Sequence, residues 1–152
     1  MGVSALKNAG QIKLLVAAGC LAQRYKEEIQ TEIPEVDVII GTTAIGGIVE
    51  AIDNALQGSC KNFYADLNEK PLTGVKRVVT TGGHFAYLKI AEGCNKHCTY
   101  CIIPKVRGDF RSVPMDDLLK EAKELAEKGV KELILVAQET TLYGMDLYGK
   151  KA

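Results

Sequence analysis

The sequence predicts an α/β fold in which parallel strands alternate with helices. Apolar runs at residues 13–18 and 36–40 have the length and composition of buried strands. A segment whose apolar residues recur at helical spacing follows each run, and a second strand–helix–strand pattern occupies residues 85–136. Because strands that alternate with helices pair in parallel, we expect two regions of parallel sheet.

The first region covers residues 1–58. Its strands are predicted at 13–18 and 36–40, with one helix at about 22–32 between them and another at 45–56 after them. The residues expected on the inner face of the first helix are Tyr25, Ile29 and Ile33. These elements give the order β-α-β-α.

Residues 59–83 are predicted to connect the two regions, because they are rich in turn-forming residues and lack periodicity. We expect at most one short strand there, at Val75–Val79. The second region, residues 84–152, begins with a strand at 85–90, and a helix follows from Pro114 to Gly129. The next strand is expected at 133–136. The inner face of the helix is expected to hold Met115, Leu118, Leu119, Ala122, Leu125 and Ala126.

The charge of the whole chain is balanced, with 19 basic and 19 acidic residues. Residues 76–111 nevertheless hold seven basic and two acidic side chains, a pattern that fits either a solvated basic loop or a surface that faces an anion or RNA. No apolar run approaches the roughly 18 residues that a membrane span needs. Residues 1–12 lack the apolar core of a signal peptide, so we expect a cytoplasmic protein with no membrane partner.

Three of the five cysteines lie within eight residues and form a C-x3-C-x2-C motif, Cys94, Cys98 and Cys101. Thiolates are the ligands that iron–sulfur clusters require. Three ligands instead of four leave an open position, which is typical of a metal site that binds substrate. The loop follows a predicted strand and precedes a helix, where barrel enzymes place their chemistry. We therefore expect the three sulfurs to converge, even without metal.

Other classes of protein remain as alternatives. A closed structural zinc site could use His97, Cys60 or His84 as its fourth ligand, although zinc motifs usually present cysteines in separated pairs. A small electron-transfer protein would also need a cluster. A role in packing alone is disfavoured, because three free thiols on a polar loop would be prone to oxidation.

The cysteine motif and its surroundings, residues 87–108, closely resemble the radical S-adenosylmethionine (SAM) methylthiotransferases. Residues 84–87 and 138–146 are more similar to the branch that modifies a ribosomal protein than to the branch that modifies tRNA. Residues 18–25 resemble the family's N-terminal domain. The resemblance thus extends over nearly the whole chain.

The resemblance also implies a domain organisation. Residues 1–58 would be the last part of an N-terminal parallel-sheet methylthiotransferase domain, and residues 59–83 a linker. Residues 84–152 would form the opening β-α-β of a radical SAM partial TIM-type barrel. The family has two more cysteines before Cys20 and further strands after the second, so the chain resembles an internal fragment that we expect to be inactive alone.

The implied reaction is methylthiolation of an aspartate in a small-subunit ribosomal protein, and the alternative substrate is an adenosine in tRNA. The implied cofactors are SAM and two [4Fe–4S] clusters. The implied partners are the ribosomal protein or the ribosome, and an electron donor such as flavodoxin or ferredoxin.

Specific residues follow from the match. Cys94, Cys98 and Cys101 would bind the radical SAM cluster, and Cys20 would bind the auxiliary cluster, although a lone cysteine at a strand end is more often an inert core thiol. Tyr100 would lie beside the adenine or shield the cluster. From their positions, Gln138 and Glu139 could hold the methionyl end of the cofactor. Arg107, with Lys105, could offset the cluster charge or reach the cofactor carboxylate, or it could lie on the surface. Cys60 is interpreted as incidental, and His84 and His97 have no assigned role.

Overall fold

The computed structural model describes residues 2–59, 62–75, 77–80 and 82–151. It is a mixed α/β fold with small parallel sheets, which confirms the predicted class. The chain divides into two compact units, Met1–Glu69 and Lys70–Ala152. None of the helices in the described ranges is long and apolar enough to cross a membrane.

The first unit is built around a two-stranded parallel sheet. Its elements are α1 (Val3–Asn8), β1 (Val16–Ala18), α2 (Cys20–Arg24), α3 (Lys26–Glu32), β2 (Val38–Ile40), a 3-10 turn (Ala44–Gly47) and α4 (Ile48–Leu56). Strands β1 and β2 pair with Val16 opposite Val38. All three residues of β2 are buried, because β1 lies on one side of this strand and Phe63 pairs with Ile40 on the other.

The core of this unit lies between β2 and α4. Val38 and Ile40 pack with Ala51 and Ala55, and small side chains on α4 let the helix approach the sheet closely. Residues 62–65 belong to this unit, although the sequence placed them in a connection: the Phe63 N–H donates to the carbonyl oxygen of Ile39 over 2.9 Å.

Two expectations for the first unit were wrong, and one helix was not expected. The helix predicted at 22–32 is two short helices, because Tyr25 between them has non-helical backbone angles (φ −110°, ψ 34°). Tyr25 and Ile33 are consequently exposed instead of facing the core. Helix α1 was not predicted. Its Lys7 Nζ lies 2.6 Å from Asp37 Oδ1, a tertiary contact that periodicity does not reveal.

The second unit holds the cysteine motif. Its elements are β3 (Phe85–Lys89), β4 (Ala91–Glu92), α5 (Ile103–Arg107), β5 (Arg111–Ser112), α6 (Met115–Glu127), β6 (Glu132–Val136) and α7 (Met145–Tyr148). Strands β3 and β6 pair in parallel, with Phe85 opposite Glu132. Strands β4 and β5 pair antiparallel, with Glu92 opposite Arg111. The predicted strand–helix–strand order is confirmed, and the β4–β5 hairpin is an addition to it.

Helix α6 packs one narrow face on the β3–β6 sheet. Leu118 and Leu125 are buried, whereas Leu119 and Ala126, which were also expected to face inward, are exposed. Each exposed residue is one position beyond a buried one, about 100° around the helix, so a single sheet does not cover both. The strand expected at Val75–Val79 is absent from the described residues of that range.

Candidate metal centre

The two ends of the cysteine loop, residues 93–95 and 108–110, lie side by side and form what we call the neck of the loop. After β4, the Cys94 N–H donates to the carbonyl oxygen of Gly108 over 3.3 Å, and the Phe110 N–H donates to Asn95 Oδ1 over 2.8 Å. The β4–β5 pairing continues this closure. Because β4 follows β3 directly, the hairpin holds the loop at the carboxyl end of the parallel strands, where α/β enzymes place reactive groups.

Gly93 makes this neck possible. Its φ of 76° lies in the left-handed region, and an added Cβ would lie 2.6 Å from the Gly108 carbonyl oxygen and closer still to that of Asp109. Its N–H donates to Gln138 Oε1 over 3.0 Å, so the residue before Cys94 is tied to the chain just beyond β6.

The three cysteines differ in exposure. Cys94 is buried at the neck, Cys98 is exposed, and Cys101 is partly buried. Cys98 and Cys101 line a common cavity of about 300 Å³, and the Cys101 N–H donates to the Cys98 carbonyl oxygen over 2.9 Å. His97 has a φ of 47°, which turns the chain sharply between Cys94 and Cys98.

The sulfurs are not gathered around one point. Within the described ranges, no three His, Cys, Asp or Glu side chains lie close enough to hold one metal ion. The expectation that the thiols would converge without metal was therefore wrong. Three thiols gain nothing by close contact unless a metal ion bonds them, so the sequence spacing brings them onto one short loop but does not make their sulfurs converge.

The donor set nevertheless fits an iron–sulfur cluster in kind and number. Three soft thiol ligands lie on one short loop, and this is the set that a cluster with an open coordination position needs. Of the three fourth ligands considered for zinc, His97 lies on the loop itself. His84 precedes β3 and the loop follows it, and five strand residues separate them by about 16 Å. Cys60 lies outside the described residues.

Lys96 and Glu139 form an ion pair between the loop and the end of β6. Glu139 is buried, and its second oxygen accepts hydrogen bonds from the Thr141 N–H (2.8 Å) and hydroxyl. The hydrogen bond from Lys96, followed by those from Thr141, lowers the pKa of Glu139 to about 2. Glu139 in turn raises the pKa of Lys96, and the nearby Cys94 and Cys98 add to this effect. The carboxylate and the ammonium group are therefore both charged at neutral pH.

Arg107 is engaged by a second buried carboxylate. Glu92 Oε1 lies 3.2 Å from Arg107 Nη1, and Glu92 Oε2 lies 2.7 Å from Lys89 Nζ. Burial opposes ionisation of Glu92, but the hydrogen bond and charge of Lys89 and the charge of Arg107 outweigh it and lower the pKa. Together with Arg77, which pairs with Glu121, at least four of the basic residues that the structure describes in 76–111 have acidic partners within the chain.

Tyr100 and Cys20 occupy different surroundings. Tyr100 is 90% exposed and lines the cavity that Cys98 and Cys101 share, so its ring shields little of the loop here. Cys20 is the first residue of α2 in the first unit, directly after β1, and is partly buried. The roles predicted for both residues stay predictions.

Sequence reasoning missed the contacts that hold the exit of the loop. Ser112, which is buried, donates to the Asp146 carboxylate through its N–H (2.8 Å) and its hydroxyl (2.6 Å). The Gly144 N–H donates to Ser112 Oγ over 3.0 Å, and Tyr143 donates its hydroxyl to the Val113 carbonyl oxygen over 2.8 Å. No local pattern signals these contacts, because the partners are about thirty residues apart.

The cysteine loop lies in a segment that matches a known protein family. Residues 88–150 match the family model described as the radical SAM superfamily. The matched segment begins within β3 and includes the loop, its neck and the Lys96–Glu139 pair.

Curated relatives extend the similarity to nearly the whole chain. The chain is 60% identical to a protein of Lachnoclostridium phytofermentans over 95% of its own length and 33% of that protein. It is 51% identical to one of Clostridioides difficile, over 96% and 33%, and 48% identical to one of Clostridium tetani, over 91% and 31%. All three are named ribosomal protein uS12 methylthiotransferase RimO. The predicted resemblance to the methylthiotransferases is confirmed, and the chain spans about a third of the length of these relatives.

Proposed function

We propose that this chain contributes the cluster-binding loop of a radical SAM methylthiotransferase that modifies an aspartate of a small-subunit ribosomal protein. The observation that carries the proposal is a three-cysteine loop, fixed by a hairpin neck at the carboxyl end of β3, within a radical SAM segment. The relatives' shared name indicates ribosomal protein uS12 as the substrate.

The proposed domain organisation follows the sequence. Residues 1–58 would complete an N-terminal methylthiotransferase domain, residues 59–83 would link it onward, and residues 84–152 would open a partial TIM-type barrel. The pairing of β3 with β6 supports the last assignment, since parallel neighbours joined through a helix are the repeating unit of such barrels. We place the protein in the cytoplasm, with a flavodoxin or ferredoxin as electron donor.

Cys94, Cys98 and Cys101 would hold a [4Fe–4S] cluster, and Cys20 would be a ligand of a second, auxiliary cluster. When bound, the first cluster supplies the electron that cleaves SAM to a 5′-deoxyadenosyl radical. The residues of this chain hold the loop in place: Gly93 allows the close approach of its two ends, and the β4–β5 pairing holds both ends together. Tyr100 is exposed beside two of the thiols, where its ring is available to stack on an adenine.

The remaining cofactor contacts stay predictions. Arg107, Gln138 and Glu139 each have a partner within the chain: Glu92, the Gly93 N–H and Lys96, respectively. A cofactor that bound any of them would compete with that partner. Breaking the contact of Arg107 would leave the buried Glu92 with one cation fewer, and breaking that of Lys96 would leave the buried Glu139 without its ion-pair partner.

The cluster is tested by anaerobic reconstitution of this chain with iron and sulfide, and in parallel with zinc. We expect the broad visible absorption of an iron–sulfur cluster, and its loss when any one of the three loop cysteines is replaced by Ala. Cys20→Ala is the matched control, because it removes a thiol outside the loop. Stoichiometric zinc binding with no iron–sulfur absorption would instead support the structural zinc module.

The substrate is tested in cells that lack the coding sequence. Loss of a methylthio group from the ribosomal protein, read by mass spectrometry, is the expected result. Loss from a tRNA adenosine with an unchanged ribosomal protein would favour the tRNA-modifying alternative. The isolated chain, supplied with SAM, a strong reductant and the ribosomal substrate, is expected to form no methylthiolated product, because a two-stranded sheet does not close a barrel around a radical.

A further inference from the structure

We propose that Lys96 is a positioning residue of the cysteine loop: held in place by Glu139, it keeps a positive charge beside the thiols and raises the reduction potential of a cluster bound there. This inference rests on the proposed cluster site. It also reassigns Glu139, which the sequence suggested as a direct contact of the cofactor.

The geometry of the pair is specific. Lys96 lies between Cys94 and Cys98, and its ammonium group contacts Oε2 of Glu139. The other oxygen, Oε1, accepts the two hydrogen bonds from Thr141. Both oxygens are therefore occupied by groups of the chain, and the carboxylate is oriented toward the loop.

The pair is one of two adjacent ties between the loop and the end of β6. Gln138 accepts a hydrogen bond from the N–H of Gly93, one residue before Cys94, and Glu139 binds Lys96, two residues after it. Cys94 is thus bracketed by contacts from consecutive residues. Since β6 is paired along its whole length with β3, these two contacts hold the loop in a fixed position relative to the sheet.

The pair contributes to folding because Glu139 is buried, but half of the Lys96 side chain is exposed, so solvent screens part of the attraction. A fixed cation has a clearer effect on a cluster held by thiolates, whose potential depends on nearby charge and on solvent exposure. Reduction adds an electron, so a neighbouring positive charge stabilises the reduced form relative to the oxidised one.

The paired charges give a test that a merely structural role would not pass. Lys96→Met leaves the Glu139 carboxylate uncompensated near the cluster, whereas Glu139→Gln leaves the ammonium group uncompensated. The first variant should therefore lower the reduction potential and the second should raise it. The double variant restores the net charge, so its potential should lie between those of the two single variants.

The experiment is a reductive titration of the reconstituted chain, followed by electron paramagnetic resonance. For Lys96→Met we expect a roughly tenfold smaller reduction equilibrium constant, about 59 mV for a one-electron couple. Glu139→Gln should shift the potential the opposite way, and Lys96→Arg, which keeps the charge, should retain most of the original potential. Lys123→Met, which removes a lysine charge from the exposed side of α6, is the matched control and should leave the potential unchanged.

The possible results separate this inference from the proposed function. If the chain binds the cluster but the two single variants shift the potential in the same direction, or not at all, the inference is overturned and the cluster site stands. If the unmodified chain binds no iron–sulfur cluster, both are overturned. Should Lys96→Met lose its cluster, the nearly isosteric Glu139→Gln still decides, because an unchanged or lowered potential in that variant contradicts the inference.

Discussion

Substitution of Gly93 by Ala tests the neck of the cysteine loop most directly. At a φ of 76°, a residue with a Cβ costs about 1–2 kcal/mol relative to glycine. The added Cβ would also meet the carbonyl groups of Gly108 and Asp109, and backbone atoms do not move away by a side-chain rotation. The neck must therefore open, and losing the Cys94–Gly108 hydrogen bond costs about 1 kcal/mol more.

Gly129 provides the matched control. Its φ of 94° is also in the left-handed region, but an added Cβ would have no atom within 4 Å. Gly129→Ala should therefore show the backbone cost without the collision. We expect Gly93→Ala to lower the free energy of unfolding of the second unit by at least about 1 kcal/mol more than the control does.

Two measurements check this prediction. Urea denaturation of the metal-free chain, followed by amide exchange in β3 and α6, gives the stability of the second unit. Iron content after reconstitution reports on the loop, and we expect it to fall for Gly93→Ala only. Equal destabilisation by the two variants, with equal iron content, would refute the close approach at the neck.

Three other predictions address the core, the electrostatics and the cysteines. Leu125→Ala should destabilise the second unit by about 2–5 kcal/mol, measured by urea denaturation, whereas Leu119→Ala, on the exposed side of the same helix, should change stability by less than about 0.5 kcal/mol. Burial opposes ionisation of Asp37, but Lys7 and a backbone N–H outweigh it and lower the pKa of this carboxyl below 3.8. The contribution of Asp37 to the free energy of unfolding should therefore be present above that pH and be lost as the pH falls through the lowered pKa. Asp37→Asn should remove this part of the pH dependence of unfolding. In a protein that contains the full barrel, replacing any loop cysteine by Ala should abolish 5′-deoxyadenosine formation, whereas Cys20→Ala should preserve it and remove the methylthiolated product.

Local patterns in the sequence predicted the elements that carry periodic apolar residues. The strands around Leu88 and Leu133 and helix α6 appear where the alternation and the helical spacing place them. The interruption at Tyr25 was not predictable in this way, because the apolar spacing continues through it and the backbone departs from a helix at a single residue. Helix α1 contains Lys7, whose ion-pair partner Asp37 is distant in sequence.

The candidate site shows the same division between local and long-range information. The spacing of the cysteines identifies the donor set, since all three lie on one short segment. The ties that fix this segment join residues far apart, as the 45 positions between Gly93 and Gln138 illustrate. Composition carries no signal for such a pair, because many polar side chains could accept a hydrogen bond from one N–H.

Glu139 shows why a residue's place can be predicted while its partner is not. Its position after a parallel strand places it beside the loop, because the carboxyl ends of β3 and β6 lie at the same edge of the sheet. Its partner depends on which donor reaches the buried carboxylate, and Lys96 and Thr141 together occupy both oxygens. A cofactor amine would have to displace Lys96 and would leave that ammonium group without its carboxylate, so the exchange gains little. We therefore infer that the carboxylate holds the Lys96 ammonium group next to the thiols. There its charge would lower the energy of an electron added to a bound cluster.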